Sequence, residues 1–128
     1  MDGMFKIIMI IGTGGFIGTI LRFLLGRFIQ QHVISPFPYG TFFINILGCF
    51  LIGIFYGISE KGNIMNAEWR LFLTVGFCGG FTTFSAFASE NISLLRDGEF
   101  FFFALYTALS VFLGLLATYL GNVLSKIV

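Results

Sequence analysis

Stretches without a charged side chain dominate this 128-residue chain: residues 7–21, 33–59, 71–89 and 100–125 contain none. Each, with its flanks, can cross a hydrocarbon core of about 30 Å as a helix of about 20 residues, a structure that satisfies its own backbone in lipid. Composition agrees. Hydrophobic residues make up 57% of the chain and charged ones 10%, with a mean hydropathy of +0.97. A soluble domain has about 25% charged and about 45–50% apolar residues. A water-soluble globule is therefore excluded, and four spans leave too few residues for a separate soluble catalytic domain. The net charge of +1 offers no basic field for nucleic acid.

The predicted architecture is an all-α integral membrane protein, one domain over 1–128 with spans near 4–28, 40–59, 69–94 and 99–125. Lys6 before the first apolar stretch is reminiscent of a secretory signal. Three further spans follow instead of a soluble domain, so this segment reads as a helix that stays. The turn Ser35-Pro36-Phe37-Pro38-Tyr39-Gly40 opens the second span. Ahead of the third, Asn66 is placed to accept from a first-turn amide, and Trp69 between Glu68 and Arg70 reads as an interfacial anchor. Lys6, Lys61, Arg70 and Lys126 fall on one side of this arrangement and Arg22, Arg27 and Arg96 on the other, four against three. Orientation follows the Lys/Arg bias, and so slight a bias predicts insertion in both directions.

At helical intervals the first span carries Gly14, Gly18, Arg22 and Gly26, and the second carries Thr41, Asn45, Cys49, Gly53 and Gly57. The fourth repeats the pattern with Tyr106, Ser110, Gly114, Thr118 and Gly121. Apolar burial does not drive helix association in lipid, so small residues mark where backbones approach closely. Packing explains the glycines; it does not explain Asn45. The third span differs. Gly76-Phe77-Cys78-Gly79-Gly80-Phe81-Thr82-Thr83-Phe84-Ser85 lies across its centre. Adjacent glycines and then β-branched threonines weaken a helix, which predicts a third helix broken at mid-membrane. Non-helical backbone at that depth is tolerated only inside protein or along a wet cavity. Freed carbonyls there are ready ligands for a monovalent cation.

No catalytic constellation is present, neither a His–carboxylate pair nor a nucleophile elbow, and an enzyme is not expected. Gly12-Thr13-Gly14-Gly15-Phe16-Ile17 lacks the sixth-position glycine of a dinucleotide fingerprint. Cys49 and Cys78 have no second Cys or His at metal-ligand spacing and read as small apolar residues. Transport remains. A four-helix proton-coupled multidrug or cation exporter is the principal rival reading, and it expects a carboxylate in the first span. None lies in residues 7–21, and the best-placed acid is Glu90 at the end of the third span. A structural membrane subunit is the second rival. The interior instead offers the Asn45 amide and the hydroxyls of Thr41, Thr82, Thr83, Ser85 and Ser110. Arg22 stands near one mouth, as an entrance charge or as a side chain snorkelling to water. Phe84 and Phe87 share a helix face beside Thr83, Ser85 and Ser89. Their ring edges carry partial positive charge. Ring edges and neutral donors suit a small anion that full charges would hold too tightly.

The stretch Gly79-Gly80-Phe81-Thr82-Thr83-Phe84-Ser85-Ala86-Phe87, preceded by Gly40-Thr41-Phe42-Phe43-Ile44-Asn45-Ile46-Leu47-Gly48, resembles the CrcB/Fluc fluoride channel family. The resemblance covers all four spans. It implies an antiparallel, dual-topology homodimer in a bacterial inner membrane, with two fluoride pores and a structural Na⁺ at the dimer centre. It further implies that Phe84, Phe87 and Asn45 line the pore, that Tyr106 and Ser110 form a polar track, and that the backbone carbonyls of Gly79 and Thr82 hold the Na⁺. Thr41, Ser85 and Arg22 complete the pore set. Where the family often has hydroxyl residues, this chain has Ala86, Ala88 and Gly114. A symmetric oligomer is expected on size alone, since four helices hardly enclose a path. Transport would be passive. Undissociated HF enters a cell and ionises, and an interior-negative potential then drives fluoride out at about 2.3 kcal/mol per charge per 100 mV. The expected partners are fluoride, lipid and a second copy of the chain.

Overall fold

The structure, a computed structural model, describes residues 2–62 and 64–127. All regular secondary structure among them is helical. Helix α1 spans Asp2–His32 and α2 spans Tyr39–Ser59. A short α3, Ala67–Arg70, runs directly into a π-helix, Leu71–Cys78, and then into a single α-turn, α4, Gly79–Phe81. Beyond Thr82 and Thr83 lie α5, Phe84–Arg96, and α6, Phe100–Ile127. Four segments are long and apolar enough to cross a membrane: Gly3–His32, Tyr39–Ser59, Ala67–Arg96 and Phe100–Ile127. Each runs one to a few residues past at least one end of the corresponding sequence estimate. Arg and Gln are good helix formers, so a charge that ends an apolar stretch need not end the helix.

Local signals set the boundaries. Asn66 Oδ1 accepts from the Trp69 amide at 2.8 Å, the expected cap. Between α1 and α2, Ser35 Oγ accepts from the Phe37 amide at 3.2 Å, and Phe37 folds inward to 4% exposure. Gly98, at φ 73°, makes the left-handed turn between α5 and α6 that a side chain would oppose. The π-helix has no counterpart in the sequence reading. Inside it, Thr74 Oγ1 donates to the Arg70 carbonyl at 2.6 Å, a back-bond of the kind that bends helices.

Two seams of close backbone contact hold the helices together. In the first, α1 lies against the π-helix and α4: a Cβ on Gly80 would stand 2.5 Å from the Gly15 carbonyl, and one on Gly76 would stand 2.8 Å from the Ile11 carbonyl. In the second, α2 lies along α6: a Cβ on Gly53 would strike the Thr118 carbonyl, and one on Gly121 the Phe50 carbonyl. Residue numbers rise together along both seams, with Cys49 beside Gly114, Gly53 beside Thr118 and Gly57 beside Ser125 in the second, so α1 runs parallel to the first half of the third span and α2 parallel to α6. Alternating spans produce this arrangement. Few side chains are fully buried. Phe37, Leu94 and the wholly enclosed Tyr106 form the one compact apolar cluster described, while Phe16, Phe101 and Leu115 are about 70% exposed. Such an inventory suits a chain whose outer surface need not avoid lipid.

Substitution separates the seams from open glycines. Gly53→Ala and Gly121→Ala must each push α2 from α6, and each is expected to lower stability by about 1–3 kcal/mol, the range for overpacking. Gly12, with open space at its Cβ position, gains up to about 1 kcal/mol as Ala from helix propensity. Thermal unfolding of the purified protein in detergent measures the difference; equal melting temperatures for the three variants would contradict the seam.

Candidate functional site

The site is built around two residues in extended backbone between α4 and α5. Thr82 has φ −86° and ψ 157°, and Thr83 φ −151° and ψ 118°. Extended backbone suits β-branched side chains. The helix persists through Gly79 and Gly80 and gives out only at the threonines. Gly80 serves close approach instead: α1 comes within contact of it, and Arg22 Nε donates to its carbonyl at 3.1 Å.

Asn45 answers for the missing helical bonds. Its Oδ1 accepts from the Thr83 amide at 2.9 Å, and its Nδ2 donates to the Thr83 carbonyl at 3.1 Å. One carboxamide thus pairs with both polar groups of a single residue, as a neighbouring strand would. The consequences spread along the chain. In an unbroken helix the Thr83 amide would close on the Gly79 carbonyl; held by Asn45, it leaves that oxygen without its helical partner. Likewise the Ala86 amide would close on the Thr82 carbonyl, but it donates to Thr83 Oγ1 at 3.1 Å as a helix cap. Gly79 and Thr82 therefore present two carbonyl oxygens released from helical pairing, three residues apart. That donor set, neutral oxygens without a carboxylate, fits a monovalent cation.

Beside this segment runs an open groove of about 530 Å³. Asn45, Thr82, Thr83, Phe84, Phe87 and Ser110 line it together with Gly79 and the two cysteines. Phe84 is 79% exposed, and its ring centroid lies 5.7 Å from that of Phe87. Ser110 Oγ is buried with no hydrogen-bond partner in the protein. A second cavity of about 240 Å³ is lined by Arg22, Arg27, Gln30, Thr41, Thr83 and Ala86. Thr83 belongs to both.

Glu90 is the functional candidate that reading the sequence left without a role. Thr41 Oγ1 donates to its Oε2 at 2.8 Å and the Tyr106 hydroxyl to its Oε1 at 2.9 Å. A carboxylate at membrane depth is expensive unless partnered, and the partners come from α2 and α6, remote in sequence. The local signal is an acid at the end of a charge-free stretch. Tyr106 then packs against Phe87, with ring centroids 5.0 Å apart. The proposed set accordingly divides. Asn45, Phe84, Phe87 and Ser110 share the groove with the Gly79 and Thr82 backbone; Thr41 and Tyr106 converge on Glu90; Arg22 lines the second cavity. Ser85 stands apart, exposed beside Thr83, with their hydroxyl oxygens 3.3 Å apart.

Residues 9–122 match a family described as CrcB-like protein, Camphor Resistance (CrcB). A Flavobacterium psychrophilum protein named fluoride-specific ion channel FluC is 48% identical over 121 residues, covering 94% of this chain and 98% of its own. A Bacteroides fragilis protein of the same name is 46% identical over 124 residues, covering 94% and 97%. One from Chlorobium phaeobacteroides, again with that name, is 42% identical over 127 residues, covering 99% and 98%.

The Asn45 clamp and the Glu90 pair are separable by mutation. Asn45→Ala removes both bonds to Thr83 and is expected to destabilise by about 2–3 kcal/mol, since buried backbone groups lose their partners. Asn45→Asp retains the acceptor but sets an oxygen against the Thr83 carbonyl, so it does not rescue. Tyr106→Phe leaves Glu90 with one donor fewer and costs about 1–3 kcal/mol. Unfolding in detergent checks all three; wild-type stability of Asn45→Ala would dismiss the clamp.

Proposed function

The chain belongs to the CrcB-like protein family, and from that membership we propose that it is a passive, fluoride-selective ion channel of a bacterial inner membrane. It is a channel and not an enzyme, a multi-pass membrane protein whose substrate is the fluoride ion. The observation that carries the reading is the groove. Asn45, the unpartnered Ser110 hydroxyl and the rings of Phe84 and Phe87 meet there, beside a segment already freed from helical bonding. An amide nitrogen has two hydrogens; one holds Thr83 and the other remains for an anion. Phenylalanine edges add partial positive charge without binding too firmly for release. The first turn of α5 adds the positive end of a helix dipole.

A single copy leaves the groove open and Phe84 exposed. A second copy in antiparallel orientation closes it, places aromatic edges on both walls and yields two equivalent pores. The same two-fold axis would bring the Gly79 and Thr82 carbonyls of both subunits together, and these would hold a structural Na⁺, which would supply a fixed positive charge between the two interrupted helices. Lipid covers the remaining apolar surface. The exporter reading is not favoured: it expects a carboxylate in the first span, residues 7–21 contain none, and Glu90 in the third span is engaged by Thr41 and Tyr106 at its two carboxylate oxygens.

Two measurements test this. Liposomes containing only this protein should release fluoride passively. Phe84→Leu, Phe87→Leu and Asn45→Asp should each lower the rate by about tenfold or more, the equivalent of at least about 1.4 kcal/mol in barrier height. Phe101→Leu, at an outer position, should leave it unchanged. Full flux through a folded Phe84→Leu, Phe87→Leu double variant would refute the ring-edge mechanism. In cells, a cysteine introduced as Ile127→Cys into a Cys49→Ala, Cys78→Ala background should label from both sides of the membrane; labelling from one side alone would refute dual topology.

A further inference from the structure

The sequence separates Cys49 and Cys78 by a span and a loop, and neither has a ligand nearby along the chain. The fold removes that separation. Cys49 lies one turn after Asn45 on α2, and Cys78 lies one turn before Thr82 on the π-helix. The Asn45–Thr83 clamp fixes these two turns against one another, and between them a Cβ on Gly48 would run into the Thr82 side chain. Both cysteines are free thiols, and both line the 530 Å³ groove. From α6, Gly114 leaves room over the Cys49 sulfur, where a Cβ would stand 3.5 Å away.

We propose that Cys49 and Cys78 together form a binding site for a soft, two-coordinate metal ion, with Hg²⁺ as the probe. Thiolates select soft metals over hard ones. A tetrahedral zinc site requires four ligands, or three and a water, and no group of three or more His, Cys, Asp or Glu side chains assembles among the described residues. Two sulfurs in an apolar groove suit a linear S–Hg–S complex. Cys78 is only 1% exposed, so the metal arrives best as neutral HgCl₂. The exchange is balanced without redox change: two S–H bonds break, two S–Hg bonds form, and two chlorides and two protons leave. This coupling of metal binding to thiol deprotonation is general. The effect on transport rests on the groove being the fluoride path; the site itself does not.

The experiment titrates the reduced, purified full-length protein with HgCl₂. Sulfur-to-mercury charge-transfer absorption, proton release and the thiols left reactive to a maleimide are followed together. The expected result is one Hg²⁺ per chain, two protons released, and both thiols protected at once. Cys49→Ser and Cys78→Ser should each weaken binding by about 100-fold or more, the usual gain from joining two ligands in one site. Two metals per chain, or single-thiol variants that bind as tightly as wild type, would overturn the site. The wild-type stoichiometry requires no variant to fold. Fluoride efflux is then measured on the loaded protein. Block that is absent from the Cys49→Ser, Cys78→Ser double variant supports both site and path, whereas a protected thiol pair with unchanged efflux keeps the site and refutes the groove as the path.

Discussion

A polypeptide that leaves helical geometry inside an apolar span must still pair its amides and carbonyls, because unsatisfied polar groups are costly away from water. At Thr83 one side chain meets that demand. The Asn45 carboxamide takes both the amide and the carbonyl of Thr83, and the local architecture follows from it. With Thr83 held extended, its hydroxyl is free to cap α5; with the cap made, the direction of α5 is set and Phe84 and Phe87 project beside the groove. The released Gly79 and Thr82 carbonyls are the other product of the same displacement. A residue with the wrong hydrogen-bonding pattern at position 45 would disturb all of these together.

Around that junction the two seams act as rigid walls. Backbone rests on backbone where α1 meets Gly76 and Gly80 and where α2 meets α6, so the walls have little capacity to absorb an added atom. Glu90 ties the third layer, drawing Thr41 of α2 and Tyr106 of α6 onto one carboxylate. Tyr106 also touches Phe37 and Phe87. Aromatic contacts therefore join the α1–α2 connection to the groove through a single enclosed ring.

The helices were legible because charge-free length and turn residues act locally, and glycine spacing marked the close-packed faces for the same reason. Asn66 as a cap was equally local. Other features depend on residues far apart in sequence. Nothing near Glu90 announces that hydroxyls from positions 41 and 106 will partner it, and nothing near Asn45 announces Thr83. The glycine pair led to a different outcome from its intrinsic propensity: Gly79 and Gly80 stay helical, with α1 packed on Gly80 and Arg22 holding its carbonyl, and the extended residues are the two threonines that follow. The π-helix over Leu71–Cys78 arises from hydrogen-bond register, which composition does not encode.

Thr83 contributes to the walls of both the groove and the smaller cavity lined by Arg22 and Thr41. When water fills hollows on the two faces of so thin a septum, the membrane voltage does not fall evenly across the full thickness of the protein. High-dielectric water carries each bulk potential inward, and the drop steepens across the segment that separates the two hollows. An ion crossing there would meet a locally steepened field, and a charge placed in either hollow would sit closer to the potential of its own side.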